Sequence, residues 1–158
     1  MDYKIRKIAK EEYSLLENYL YEAIFVPKGM SAPPKSIINQ PELQAYIIDF
    51  GKEKDDIGLV AEVDKKVVGA VWVRIMNDYG HIDNDTPSLA ISLYEDYRGL
   101  GIGTALMKEM LRSLKDKGYK KISLSVQKAN YAVKMYKKIG FEVVDENEEE
   151  YIMLCHLR

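Results

Sequence analysis

The sequence predicts an α/β fold, with a mostly antiparallel sheet in its first part and a strand–helix–strand unit in its second. Three observations predict it. Two Val/Ile-rich segments, Ile57 to Val63 and Val67 to Met76, are separated only by Asp64-Lys65-Lys66, which reads as a hairpin. From Gly101 to Lys117, Leu106, Met107, Met110, Leu111 and Leu114 recur at the spacing of one helix face. Ile122-Ser123-Leu124-Ser125-Val126 then alternates as a half-buried strand does.

The elements follow in order. Tyr3, Ile5 and Ile8 form a first strand. Lys10 to Ala23 carries Tyr13, Leu16, Leu20 and Ile24 at helical spacing. Pro27-Lys28-Gly29 through Ser31-Ala32-Pro33-Pro34 is the only Pro/Gly-rich stretch and reads as a mobile loop. Pro41 suits the first turn of a second helix, which runs through Leu43, Tyr46, Ile47 and Phe50 and stops at Gly51. After the hairpin, Asn77 to Pro87 is polar, and Leu89-Ala90-Ile91-Ser92-Leu93 is a third strand. Gly118 stops the long helix. Asn130 to Ile139 is a helix ended by Gly140. Phe141-Glu142-Val143-Val144 and Tyr151-Ile152-Met153-Leu154 are the last strands, joined by an acidic turn. The order is β-α-α-β-β-β-α-β-α-β-β.

A length of 158 residues predicts one domain spanning 1–158. A hydrophobic share of 47% is enough for a core. Lys+Arg 23 nearly balance Asp+Glu 25, for a net charge of −2, so the basic footprint of a nucleic-acid binder is missing. One cysteine, Cys155, and two histidines, His81 and His156, predict no disulfide and no metal site. The N-terminus lacks the apolar core of a secretory signal. No stretch nears the ~20 apolar residues that span a bilayer. A cytoplasmic protein without membrane or nucleic-acid partners is the expectation.

The sharpest local feature is Arg98-Gly99-Leu100-Gly101-Ile102-Gly103-Thr104, which follows a strand and opens a helix. Amide N–H groups at a helix N-terminus carry partial positive charge, and glycines let backbone approach a phosphate closely. Arg98 adds a planar fork of donors. A tight chain reversal alone does not need three alternating glycines, so this turn reads as an anion site. It is not a dinucleotide fingerprint, because the third glycine position, counted from Gly99, is Thr104, and no acidic residue follows on the next strand. Nor is it a P-loop, because no lysine precedes Thr104.

These residues resemble the GNAT superfamily of acyl-CoA-dependent N-acetyltransferases. Its signature is Arg or Gln, two residues, Gly, one residue, then Gly or Ala; Arg98, Gly101 and Gly103 match it. Glu95-Asp96-Tyr97 is typical of the approach to that turn. A second signature, an Asn, a Tyr on the next helix and Gly-Phe opening a strand, is met by Asn130, Tyr136 and Gly140-Phe141. The specific motifs cover 89–141, and the similarity in element order extends over essentially the whole chain.

The resemblance implies a mixed, mostly antiparallel sheet flanked by helices, with the strand Leu89–Leu93 splayed from Ile122–Val126 to open a V-shaped cleft. Acetyl-CoA is then the co-substrate. Its pantetheine arm runs along the backbone around Ile91 and Leu93 and meets Asn130. Its pyrophosphate sits on the amides from Arg98 through Gly99, Gly101 and Gly103 to Thr104. Lys137 is a contact on the phosphate or adenine side. Tyr136 faces the thioester and is the candidate general acid for the departing thiolate. The acceptor is a small-molecule or peptide amine, and a homodimer stays open.

Two single-residue readings compete with this assignment: Tyr136 as a core aromatic and Asn130 as a helix N-cap, the latter compatible with cofactor binding. The base is undetermined. The strand Leu89–Leu93 has no carboxylate, which leaves His81, Asp83 and Asp85 in the preceding loop, the more distant Asp49 and Asp56, or a water relay. Trp72 and Arg74 share one sheet face and are candidate acceptor contacts. The Tyr21–Phe25 and Pro27–Pro34 region is expected to border the acceptor pocket. Cys155 reads as a buried apolar residue. A cofactor-binding sensor or scaffold without transfer is the alternative function.

Overall fold

A computed structural model of the chain describes residues 2–76 and 81–158. Seven strands form one sheet in the order β1-β2-β3-β4-β5-β7-β6. They are β1 (Lys4–Lys7), β2 (Ile57–Val63), β3 (Lys66–Arg74), β4 (Ser88–Leu93), β5 (Lys121–Gln127), β6 (Glu142–Glu146) and β7 (Glu150–His156). Every neighbouring pair is antiparallel except β4 and β5. The expected mixed, mostly antiparallel sheet is therefore what forms. The expected polar segment from Asn77 lies in part, over 77–80, outside the described residues.

The hairpin between β2 and β3 closes through two residues, Asp64 (φ 50°) and Lys65 (φ 68°). Positive φ at both central positions gives the turn a twist that matches the flanking strands. α3 (Ile102–Asp116) lays Ile102, Leu106, Met107, Met110 and Leu114 on the sheet, all fully buried. Each such side chain contributes about 1.5–3 kcal/mol of burial. α4 (Ala132–Ile139) packs on the same side through Val133 and Tyr136. A second core on the other side gathers Leu16, Tyr19 and Leu20 of α1 (Leu16–Glu22) with Phe50, Val60, Ala70 and Trp72.

The two N-terminal helices are shorter than their periodicity predicts. Lys10–Leu15 is a 3₁₀ turn, and α-helix begins only at Leu16. α2 is a single turn, Pro41–Gln44, followed by irregular turns to Gly51. A further 3₁₀ turn, Lys35–Asn39, sits in the segment before it. The reason is tertiary. The carbonyls of Ala45 and Ile48 accept hydrogen bonds from the Arg74 guanidinium (3.2 and 2.8 Å), and that of Tyr46 accepts one from Trp72 Nε1–H (3.0 Å). Backbone that regular helix would have used is spent on the sheet, so the chain passes over β3 as turns.

Candidate active site

β4 and β5 meet at one register pair, Ser88 with Ser123, beside a hydrogen bond from the Ser123 N–H to the Pro87 carbonyl (3.0 Å). Beyond that point the strands part. The opening is a cleft of about 520 Å³, lined by β4 from Leu89 to Leu93, β5 from Leu124 to Gln127, the glycine turn, the start of α4 and the end of α1. The splay expected between these strands is therefore present.

One wall is the glycine turn. Gly101 caps α3 in the left-handed region (φ 85°, ψ −3°) with no side-chain cap, so the first amides of the helix keep their N–H groups free of intrahelical partners. Gly101, Gly103 and Thr104 line the cleft, as do Arg98 and Gly99. An ideal Cβ on Gly101 would meet nothing within 4 Å, so open space lies over this backbone. The turn suits a phosphate group: unpaired amides, a helix N-terminus and a surface without side chains.

Arg98 is not free at this wall. Its Nε–H donates to the Leu93 carbonyl (3.0 Å), and its guanidinium pairs with Glu22 (3.2 Å) at the end of α1. Lys137, expected on the phosphate or adenine side, does not line the cleft; its ammonium lies 5.9 Å from the Tyr151 ring centroid.

Away from the Ser88–Ser123 junction, Ile91 and Leu93 of β4 line the cleft together with Asn130, Met135 and Tyr136. Asn130 Oδ1 accepts a hydrogen bond from the Ala132 N–H (2.9 Å), so it does cap α4 while it lines the cleft. Tyr136 is 7% exposed. Burial, and secondarily Tyr131, pushes its phenol pKa well above the ordinary tyrosine value, so the proton stays on the oxygen at neutral pH. Its ring leans on Phe141, with centroids 5.9 Å apart, which packs two members of the second signature together.

None of the five base candidates lines the cleft. Asp83 and Asp85 line a separate groove with Lys117, Lys120 and Lys121. Asp83 is held at about 2 by hydrogen bonds from Thr86, from the Asp85 N–H and from Lys121, which makes it a poor proton acceptor. His81 Nδ1 lies 2.9 Å from the Met76 carbonyl oxygen. Asp49 pairs with Lys52 on the surface. Asp56 is buried against Arg74 (3.2 Å). Trp72 and Arg74 likewise do not line the cleft. Both are buried and tie the 45–56 segment to the sheet, because a buried guanidinium needs a carboxylate and carbonyls around it. Cys155 is buried, as expected, and burial raises its pKa.

The Tyr21–Phe25 and Pro27–Pro34 region, expected to border an acceptor pocket, meets the cleft in part. Ala23, Ile24 and Phe25 line the cleft, while 27–34 does not. Tyr21 ties that loop to α1 by donating to the Pro33 carbonyl (2.5 Å). Leu43, Tyr46, Gln127, Tyr131 and Glu150 were not singled out by sequence and line the cleft. A signal existed for Gln127: Ser123, Ser125 and Gln127 make one side of β5 polar, which an entirely covered strand would not carry.

The model of the acetyltransferase (GNAT) family matches residues 18–141. The chain belongs to the GNAT acetyltransferase family. Among relatives of this GNAT enzyme, an N-alpha-acetyltransferase of Sulfurisphaera tokodaii is 31% identical over 128 residues, covering 71% of this chain and 76% of the relative. The [ribosomal protein bS18]-alanine N-acetyltransferase of Haemophilus influenzae is 36% identical over 134 residues, covering 73% and 88%. Among solved structures, the PaiA N-acetyltransferase of Thermoplasma acidophilum, in complex with coenzyme A, superposes with a TM-score of 0.73 at 22% identity, covering 99% of both chains. This GNAT acetyltransferase thus shares the family's fold as well as its sequence signatures. Among the described residues no helix is long and apolar enough to cross a membrane.

Proposed function

We propose that this N-acetyltransferase moves the acetyl group of acetyl-CoA to the α-amino group of a peptide or protein N-terminus. The observation that carries the reading is the splay beyond Ser88 and Ser123. It leaves a cleft with an anion-suited helix N-terminus on one wall and a buried, protonated tyrosine in its lining. The choice of acceptor rests on two relatives whose names specify α-amine acetylation. Both are named as transferases, which favours transfer over the non-catalytic alternative.

The residues fit the co-substrate. The amides of the Arg98–Thr104 turn, with Gly99, Gly101 and Gly103 clearing the approach, would hold the pyrophosphate. The β4 backbone at Ile91 and Leu93 would hold the pantetheine arm, with Asn130 across from it. The thioester supplies the activated acetyl group. A neutral amine attacks its carbonyl carbon, the carbon–sulfur bond breaks, and Tyr136 delivers its proton to the sulfur. Backbone amides near the carbonyl stabilise the oxyanion.

The test is acetyl-CoA with a panel of peptides that differ in their first residue, alongside N-terminally blocked peptides with free lysines and simple polyamines, read by mass spectrometry. Acetyl should appear on free α-amines and depend on the first residue. Acetylation confined to lysine side chains or polyamines would overturn the acceptor assignment.

A further inference from the structure

Among the described residues lining the cleft, one carries a negative charge and one a positive charge: Glu150 and Arg98. They belong to opposite walls. Arg98 begins the glycine turn that follows β4. Glu150 opens β7, where it pairs in register with Gln127, the last residue of β5. Directly opposed residues in an antiparallel pair share a face, so Glu150 and Gln127 stand side by side on the β5 wall. The cleft is therefore electrostatically divided, with the anion-suited wall on the β4 side and a carboxylate facing it from the β5 side.

We propose that Glu150 is the acceptor-side carboxylate of this cleft, which receives the ammonium form of the incoming amine and takes its proton. The inference rests on the acetyl-transfer reading above and adds the proton acceptor that β4 lacks. The proton balance closes. The ammonium proton passes to Glu150, the neutral nitrogen bonds to the acetyl carbon, the carbon–sulfur bond breaks, and the thiolate takes the Tyr136 proton. The amide nitrogen sheds its second proton to solvent; Glu150 then releases its proton and Tyr136 regains one through solvent, so one proton is released per turnover.

The local structure holds Glu150 in place by its backbone and leaves its side chain to the cleft. Its N–H donates to Asn147 Oδ1 (2.7 Å), and its carbonyl accepts from the Asn147 N–H (3.0 Å). The Lys128 N–H donates to the Glu149 carbonyl (2.8 Å), which ties the turn to the end of β5. Lys128, which follows the end of β5, is drawn off to Glu146 (2.9 Å). The remaining titratable groups around Glu150 are its neighbours Glu149 and Tyr151, Tyr131 just before α4, Tyr136 on α4, and Arg98 across the cleft, which is occupied by Glu22. α1 and β4 contribute no charged side chain to the lining. Partial burial, and then Glu149, raises the Glu150 pKa. That brings a carboxylate closer to the pKa of a useful base.

The experiment compares wild type with Glu150→Gln, which keeps size and removes the proton-accepting charge, and with Glu150→Asp, which keeps the charge. Calorimetry first measures a free-N-terminus peptide binding to the CoA-loaded protein. The Gln variant should bind at least about tenfold more weakly, and an N-acetylated peptide should show no difference between proteins. With the amine that wild type accepts best in the panel, kcat should fall about 10²–10⁴-fold at neutral pH in the Gln variant. The loss should shrink as pH rises through the α-amine pKa near 8, where solvent supplies neutral amine. Glu150→Asp should recover part of the rate. Equal peptide binding in wild type and Glu150→Gln, or a raised KM with unchanged kcat and pH profile, would overturn the proposal. Failure of wild type on every α-amine would instead overturn the acceptor assignment. The Glu150 comparison then runs on whichever amine the panel shows to be acetylated, and on ammonium binding alone if none is.

Discussion

Arg98 reaches Glu22 across 3.2 Å and thereby joins the glycine turn to the last turn of α1. The same guanidinium group donates to the Leu93 carbonyl at the end of β4 (3.0 Å). One side chain thus sets the position of the turn relative to both a strand and a helix. It also means that the charge of Arg98 would meet a bound pyrophosphate already half-compensated. Glu22→Gln should leave unfolding stability within about 1 kcal/mol, because the pair is partly exposed. CoA should bind a few-fold more tightly at low salt, an advantage that fades as salt screens it. Calorimetry at two ionic strengths decides the matter. Weaker CoA binding would mean that Glu22 matters by holding Arg98 in place.

Gly101 and Gly103 separate backbone strain from cofactor clearance. At Gly101, φ is 85°, so Gly101→Val costs about 1–2 kcal/mol from the left-handed conformation alone and also places carbon over the turn. At Gly103 the backbone is helical, and a Cβ would sit 3.5 Å from Leu93 Cδ1, an ordinary contact. Gly103→Ala should therefore keep or slightly raise unfolding stability, by up to about 1 kcal/mol of helix propensity. Gly101→Val should lose tenfold or more in CoA affinity, whereas Gly103→Ala, which the Gly-or-Ala signature admits, should bind CoA within a few-fold of wild type. A folded Gly101→Val protein with unchanged affinity would place the pyrophosphate elsewhere.

Tyr136→Phe keeps the ring against Phe141 and removes only the hydroxyl. CoA affinity should change little, and kcat should drop by at least about 10²-fold if proton delivery limits the rate. Unchanged kcat with chemistry shown to be limiting would assign the proton to water or another group.

Acid stability should report on Glu12. Its carboxylate accepts two hydrogen bonds from Arg6 (2.8 Å each) and one from the Ala9 N–H (2.8 Å), and Arg6 also holds Glu62. The Arg6 hydrogen bonds lead in lowering the Glu12 pKa from 4.5 to about 2. A carboxyl depressed by folding stabilises the fold above its unfolded pKa, and that contribution drains away as pH falls through the folded value. Urea unfolding of wild type should thus weaken between about pH 5 and pH 2. Glu12→Gln should lose about 1–2 kcal/mol at pH 7 and show a flatter acid limb. Parallel acid limbs in the two proteins would show that Glu12 contributes nothing.

Local chemistry determined a great deal from the sequence alone. The stripe on α3, the Asp64-Lys65 hairpin, the glycine turn after β4 and the Asn130, Tyr136 and Phe141 signature are each written within about a dozen residues, where periodicity, caps and turn residues act. The fold class followed from them, as did the glycine turn and Tyr136 as cleft residues. The tertiary structure decided what depends on residues far apart in the chain. Arg74 meets Asp56 and the carbonyls of Ala45 and Ile48, which breaks the second helix into turns. Lys137 goes to Tyr151 rather than the cleft. Glu150 enters the cleft because β7 inserts between β5 and β6, placing it beside Gln127. Above all, β4 and β5 join only at Ser88 and Ser123. Two strands with ordinary alternation carry no local mark of whether they will stay paired. Their parting is settled by what packs on either side, α3 and α4 on one and α1 on the other, and that packing exists only once the whole chain has folded.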